Sequence, residues 1–223
     1  MRVCLKTKAL LVGLLIVLGL VVFNVPKNFS SLLPVFQLTE KPTIISKGSY
    51  GNTITIDLTF GKNDIEKFAN DLQAPYPHFF ISIEWIQRSE EIIEVMKEKN
   101  IPISLLGKSG LTYIENPTLF EQEVKQFEDA IGEKPLWFRT IDYEFPIELQ
   151  KKAWEQEVNL LSSSKYWSNT VPSLEKGDIL SIPLHQEERV DIQQLAKFVQ
   201  STETITIEQN IFGLKVKTKT YPE

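Results

Sequence analysis

The stretch Asn52–Asp64, NTITIDLTFGKND, decides how the rest of the chain is read. Ile54, Ile56, Leu58 and Phe60 alternate with Thr53, Thr55, Asp57 and Thr59, a period of two that predicts a β-strand with two distinct faces. The strand stops at Gly61, and Asn63 is placed to cap a following helix. A strand that feeds directly into a helix is the first half of a βα unit. In α/β barrels and open α/β sheets, ligands bind just past such strand ends. Gly61-Lys62-Asn63 is therefore the place to look for chemistry, and it holds no carboxylate, His, Cys or Ser.

Downstream, the alternation of strand and helix continues. Ile65, Phe68, Ala69 and Leu72 form one apolar stripe of a helix over about 63–72. His78–Ile83 reads as a buried strand, and Ser89 starts a helix with acidic residues in its first turn and lysines in its last. Ile101–Leu106 is a third strand. Asn116-Pro117 opens a helix that buries Phe120, Val124, Phe127 and Ile131 and ends at Gly132. Leu136–Arg139 is a fourth strand. Pro146 opens a less regular helix with Ile147, Trp154 and Val158 on one face and Leu149 and Ala153 pointing elsewhere. Val158–Leu161 and Ile179–Pro183 read as strands, Ile192–Val199 as a helix, Thr204–Ile207 as a last core strand and Leu214–Thr220 as a lysine-protected edge strand. This order implies a parallel sheet with helices outside. Roughly 170 residues is short for an eight-fold barrel, so an incomplete or distorted (β/α) barrel fits better than a doubly wound sheet.

The N-terminus has a different character. Arg2, Lys6 and Lys8 precede an apolar run from Ala9 to Phe23, and no small-residue cleavage site follows it. The pattern predicts an uncleaved transmembrane helix with its basic end in the cytoplasm, so the domain behind it is extracytoplasmic; the alternative is secretion after signal cleavage. The expected organisation is residues 1–27 as basic tail and anchor, 28–50 as linker with a short strand at Thr43–Ser46, and 51–223 as the globular domain. Cys4 is the single cysteine, so no intramolecular disulfide forms. A net charge of -5 argues against nucleic acid as a partner.

Four stretches in order resemble the polysaccharide deacetylase (NodB-homology, carbohydrate esterase) family. Leu58-Thr59-Phe60-Gly61-Lys62-Asn63 stands where that family has Leu-Thr-Phe-Asp-Asp-Gly, and His78-Phe79-Phe80 where it has Thr-Phe-Phe. Phe138-Arg139-Thr140-Ile141-Asp142-Tyr143 stands where it has Phe-Arg-x-Pro-Tyr-Gly, and Gly177-Asp178-Ile179-Leu180 with His185 resembles its late strand. The resemblance spans roughly residues 51–211 and implies a distorted barrel of about seven strands. It also implies metal-assisted removal of acetyl groups, with an Asp base, an Asp and two His residues on the metal, an Arg that orients the base and a late His acid. Carried over, the base place is Gly61, the metal places are Lys62, Leu106 and Gly110, and Arg139 and His185 alone persist. No metal and no cofactor are expected from such a set.

Several residues have two readings. Lys62 either supplies a positive charge where the cation is missing or is a surface lysine. Arg139 either lines a remnant pocket or is held by Asp142 or Glu144 in a buried ion pair. His185 either contacts a ligand or closes a strand. Trp85, Tyr113, Tyr143 and Trp167 follow strands, where aromatic faces stack on sugars or fill core space. The expectation is a degenerate, non-catalytic deacetylase-like protein that binds cell-envelope glycan, peptidoglycan or an envelope partner, with Lys62, Trp85, Tyr143 and Trp167 as ligand-binding candidates. An active carbohydrate esterase with a rearranged site and a purely structural or protein-interaction domain are the alternatives. The topology has a direct check. Protease added to wall-free cells is expected to digest the domain before lysis; digestion only after lysis would reverse the orientation.

Overall fold

The computed structural model describes residues 41–61, 63–168, 172–184 and 191–213. In chain order these form β1 (Ile44–Ile45), β2 (Thr53–Leu58), α1 (Asn63–Asp71), β3 (His78–Ile81), α2 (Ile83–Arg88), α3 (Glu90–Glu98), β4 (Ile103–Gly107), α4 (Gly110–Glu115) and α5 (Leu119–Ile131). There follow β5 (Trp137–Thr140), α6 (Ile147–Glu155), β6 (Asn159–Leu161), β7 (Lys165–Tyr166), β8 (Ile179–Pro183), α7 (Ile192–Ser201) and α8 (Ile207–Phe212). All eight described strands join one sheet in the order β1-β6-β5-β4-β3-β2-β8-β7, and every pairing is parallel.

The chain itself forces that sheet to curl. In a flat sheet β6 and β7 would lie six strand spacings apart, about 29 Å. Only Ser162–Ser164 separate them in sequence, and four extended steps reach at most about 14 Å. One extended run thus pairs first with β5 and β1 and then with β8. Along it, the Ser162 amide donates to the Ile45 carbonyl at 2.7 Å, that of Ser164 to Ile179 at 3.0 Å and that of Trp167 to Ser181 at 2.8 Å. The result is a parallel-stranded, curled half-barrel with one more strand than the seven expected. Strand β1 falls on the short strand read at Thr43–Ser46 within the stretch 28–50 and pairs with β6, while β7 was not foreseen.

Curling gives the sheet two buried faces, which the alternation in β2 did not reveal. Ile54, Ile56 and Leu58 face the helices with Ile65, Phe68 and Ala69 of α1. Thr53, Thr55 and Asp57 point the other way and are equally buried. The interior also receives Phe80, Leu106, Trp137, Leu161 and Ile179, with Ile207 of α8 packed on them.

Several local expectations are corrected. Thr204–Ile207 is not a strand, because Thr206 and Gln209 make a reciprocal capping box and start α8. Helix α5 begins after Thr118 rather than at Asn116-Pro117, since the Asn116 amide is engaged by the Thr112 carbonyl at 2.8 Å as the end of α4. Helices α2 and α4 went unforeseen. Ser82 and Ser109 cap them by accepting from the Trp85 and Thr112 amides. In α6 the buried face is Leu149 and Ala153, while Ile147 is 69% exposed. The anchor segment and the Leu214–Thr220 strand lie outside the described residues, and among the described residues no helix is long and apolar enough to cross a membrane.

The reversed face of α6 is measurable. Leu149→Ala is expected to cost ~2–5 kcal/mol of unfolding free energy in a urea titration, and Ile147→Ala less than ~0.5 kcal/mol. The opposite ranking would restore the face predicted from sequence.

Candidate functional site

Arg139 lies on the inward face of β5, with no exposed side-chain surface. Its Nε donates to the Leu161 carbonyl at 3.1 Å and its Nη2 to the Ser162 carbonyl at 3.1 Å, which ties it to the run between β6 and β7. Its Nη1 reaches the opposite wall, donating to Asp57 Oδ1 and Thr55 Oγ1 at 2.7 Å each and to Ser181 Oγ at 3.3 Å. The guanidinium carbon stands 4.2 Å from the Phe80 ring centroid, so an aromatic face covers one side of the cation. The planar fork of arginine suits this task, because its donors diverge in one plane toward several acceptors.

The counter-ion is Asp57, not Asp142 or Glu144. Asp57 is fully buried; its second oxygen accepts from Tyr143 Oη at 2.6 Å and Ser181 Oγ at 2.7 Å. Asp142 instead accepts the Gly110 amide with both carboxylate oxygens at 3.0 Å. The sequence did carry a signal for Asp57. A carboxylate on the same face as Thr53 and Thr55 must find a cation if that face is buried, but only closure of the barrel shows that it is.

Tyr143 completes the cluster at a backbone cost. It has φ +60°, a left-handed conformation that costs a non-glycine residue ~1 kcal/mol or more. It also occupies the place where the resemblance has glycine. Its hydroxyl bonds hold that turn down onto Asp57, and its ring meets Tyr166 edge-on at 4.8 Å. Burial, reinforced by the Asp57 charge, pushes the phenol above its ordinary titration range, so it serves as a permanent hydrogen-bond donor.

The other sequence candidates separate clearly. Trp85 is completely buried and its Nε1 donates to the Gly61 carbonyl at 2.8 Å, so it braces the end of β2 and offers no face to a sugar. Trp167 is 7% exposed and packs edge-on against Phe198 at 4.8 Å; it is a core residue. Tyr113 is buried against Phe138 and donates to Glu123. Tyr143 is half-buried, and Tyr166, which the sequence did not single out, is 45% exposed beside it. Lys62 and His185 lie outside the described residues. His78 is buried at the start of β3 with Nε2 2.8 Å from Ser104 Oγ; burial lowers it to about 4, so it is neutral at pH 7.

A metal does not fit the positions that the resemblance assigns to it. Leu106 is 1% exposed and packs in the barrel interior. A Cβ built on Gly110 would stand 2.7 Å from the Glu144 carbonyl oxygen, a backbone atom, so no histidine enters there without moving the chain. Gly61, at the base place, has φ +90°. Among the described residues no three His, Cys, Asp or Glu side chains converge to hold an ion.

The buried pair makes a distinct mutational prediction. Asp57→Ala is expected to cost ~3–5 kcal/mol, because it strands a buried cation. The double variant Asp57→Leu/Arg139→Met is expected to cost clearly less than the sum of the two single substitutions in denaturant titrations. Additive losses would mean the two side chains are not coupled.

No protein-family model and no curated protein matches this chain. Solved structures do share its fold. The chitin deacetylase from the fungal pathogen Colletotrichum lindemuthianum superposes with a TM-score of 0.62 at 13% identity, covering 78% of this chain and 93% of that one. A family 4 carbohydrate esterase from Bacillus anthracis gives 0.56 at 15% identity, over 70% and 79%. A CE4 family pseudoenzyme, also from Bacillus anthracis, gives 0.57 at 15% identity, over 72% of this chain and 64% of that one. At these identities the shared property is the fold: the half-barrel described above is that of the carbohydrate esterases and polysaccharide deacetylases, and the same fold is found in a pseudoenzyme.

Proposed function

We propose that this chain is a membrane-anchored, extracytoplasmic member of the deacetylase-like fold that has given up acetyl hydrolysis and binds cell-envelope glycan, with peptidoglycan as the leading ligand. The observation that carries it is Gly110. The place where a metal-binding histidine would stand has no room for any side chain beyond hydrogen, because the Glu144 carbonyl lies 2.7 Å from where a Cβ would be. Arg139 supports the same reading from inside. All of its bonds go to the barrel walls, so none is directed at a base past the strand end. The half-buried Tyr143 and the exposed Tyr166 supply the aromatic surface that Trp85 and Trp167 do not, and such amphipathic rings suit a polyhydroxylated ligand. The basic residues before the N-terminal apolar run support an extracytoplasmic location for the domain.

Two measurements on the purified full chain test this. Calorimetric titration with zinc, cobalt and nickel, run beside acetate release from acetylated oligosaccharides, is expected to show neither binding at micromolar affinity nor product. Retention on insoluble peptidoglycan is expected, and is expected to weaken in Tyr166→Ala without a comparable loss of Tm. One equivalent of bound metal with metal-dependent acetate release would overturn the non-catalytic assignment, and unchanged retention in Tyr166→Ala would remove the aromatic face.

A further inference from the structure

Glu123 is a buried acid that the barrel-interior network does not use. It sits on α5 with 4% exposure and accepts a hydrogen bond from Tyr113 Oη of α4. The same phenol oxygen accepts the Lys108 amide at 2.8 Å. A chain of bonds therefore runs from the backbone of the β4–α4 loop, through one hydroxyl, to one carboxyl. The fit around that hydroxyl is close: a Cβ on Gly107 would stand 2.1 Å from it, so the glycine is what admits the phenol beneath the loop. This loop lies at the strand-end face of the barrel and leads into Gly110, the first residue of α4.

The charged and titratable groups facing Glu123 are few. Lys108 approaches from the loop and Glu84 from α2; the two bond to each other across the strand ends. Tyr113 is the contribution of α4. On α6, Lys152 is committed to Glu121, two residues before Glu123. Strand β4, which also packs on α5, presents Leu105 and Gly107 on that side, neither of which titrates. No ion pair to Glu123 occurs among the described residues.

We infer that Glu123 is a proton-operated latch for the β4–α4 loop, holding the Lys108 backbone through Tyr113 when ionised and loosening it when protonated. In the ionised state every donor points the same way, Lys108 N–H to Tyr113 oxygen and Tyr113 O–H to carboxylate, and bonds in such a chain strengthen one another. A proton taken from solvent neutralises the carboxylate, so Tyr113 O–H is left with an ordinary neutral acceptor. The charge-assisted bond and the polarisation it lends to the Lys108–Tyr113 bond are lost, and the hold on the loop weakens. Burial holds the carboxyl up at about 7, so the change falls near neutral pH. The linked stability follows in sign. The folded chain keeps a proton that the unfolded chain releases near 4.5, so stability falls as pH rises from about 4.5 to about 7 and levels off above that. The latch thus tightens locally while the whole fold loses stability, two trends of opposite sign from one group.

Hydrogen exchange on the detergent-solubilised full chain separates them. Protection of the peptide containing Lys108, corrected for the intrinsic pH dependence of exchange, is expected to rise several-fold between pH 5.5 and 8.5, with a midpoint near 7. The rise is expected to vanish in Glu123→Gln. Tyr113→Phe keeps the acid and removes the link, so it is expected to retain an infrared carboxylic-acid band that disappears only above pH 7, because the Tyr113 bond favours the ionised form, while the Lys108 peptide no longer responds; it carries the same test if Glu123→Gln does not fold. Protection independent of pH in the wild type, or a rise that survives either substitution, would overturn the latch. Neither result bears on metal binding or acetate release, so this inference and the non-catalytic assignment fail separately.

Discussion

The structure depends on one buried guanidinium. A curled sheet whose interior is partly polar needs something to satisfy that interior, and Arg139 does so from β5 by bonding β2, β8 and the run joining β6 to β7. A buried cation of this kind is costly unless it is neutralised and fully bonded. Asp57 supplies the charge, Thr55 and Ser181 supply hydroxyls, and Phe80 covers one face. Each of these residues is placed by the period of two along its own strand, and none is next to Arg139 in sequence. The ion pair thus ties the barrel's closure to its internal registers, and a one-residue slip in any of these strands would remove a partner.

The strand-end loops show how the same framework accommodates a different face. Where a metal-dependent deacetylase site would need carboxylate and imidazole side chains, this chain has backbone packed tightly against backbone. Gly110 lies against Glu144, its amide is held by Asp142, and Trp85 ties down Gly61 from beneath. Tyr143 makes the opposite exchange, placing a large side chain where a turn with positive φ favours glycine. Its phenol gains Asp57 and Ser181 as partners in return for the backbone strain. Among the described residues, the region past the strand ends is thus a set of side-chain braces for loops.

Two acids in this half-barrel show how environment divides one chemistry. Asp57 is buried with a cation and two hydroxyls, while Glu123 is buried with a single phenol and no ion pair among the described residues. The first is permanent structure. The second lacks a compensating cation among the described residues and is pushed up to about 7 by burial, so it is poised to change state near neutral pH. Its bond to Tyr113, and that phenol's bond to the Lys108 amide, join it to the strand-end loop.

The amino-acid sequence by itself determined the class of fold, since the alternation of β2 and the apolar stripes of α1 and α5 are local patterns that follow from residue period alone. The resemblance to a deacetylase site puts Gly61, Lys62, Leu106 and Gly110 at its base and metal places, and that none of these is a metal-binding side chain is an expectation read from residue type alone. The sequence misjudged α6, where Ile147 and Leu149 are equally apolar and only packing decides which is buried. It misjudged Thr204–Ile207, where a capping box outweighed a β-branched alternation. The tertiary structure alone decided that both faces of β2 are buried, that Arg139 pairs with Asp57, and that Trp85 and Trp167 are core while Tyr166 is exposed. The physical reason is common to all three. Each depends on the curling imposed when Ser162–Ser164 carry the chain from one end of the sheet to the other, and that closure brings together residues with no neighbourhood in sequence.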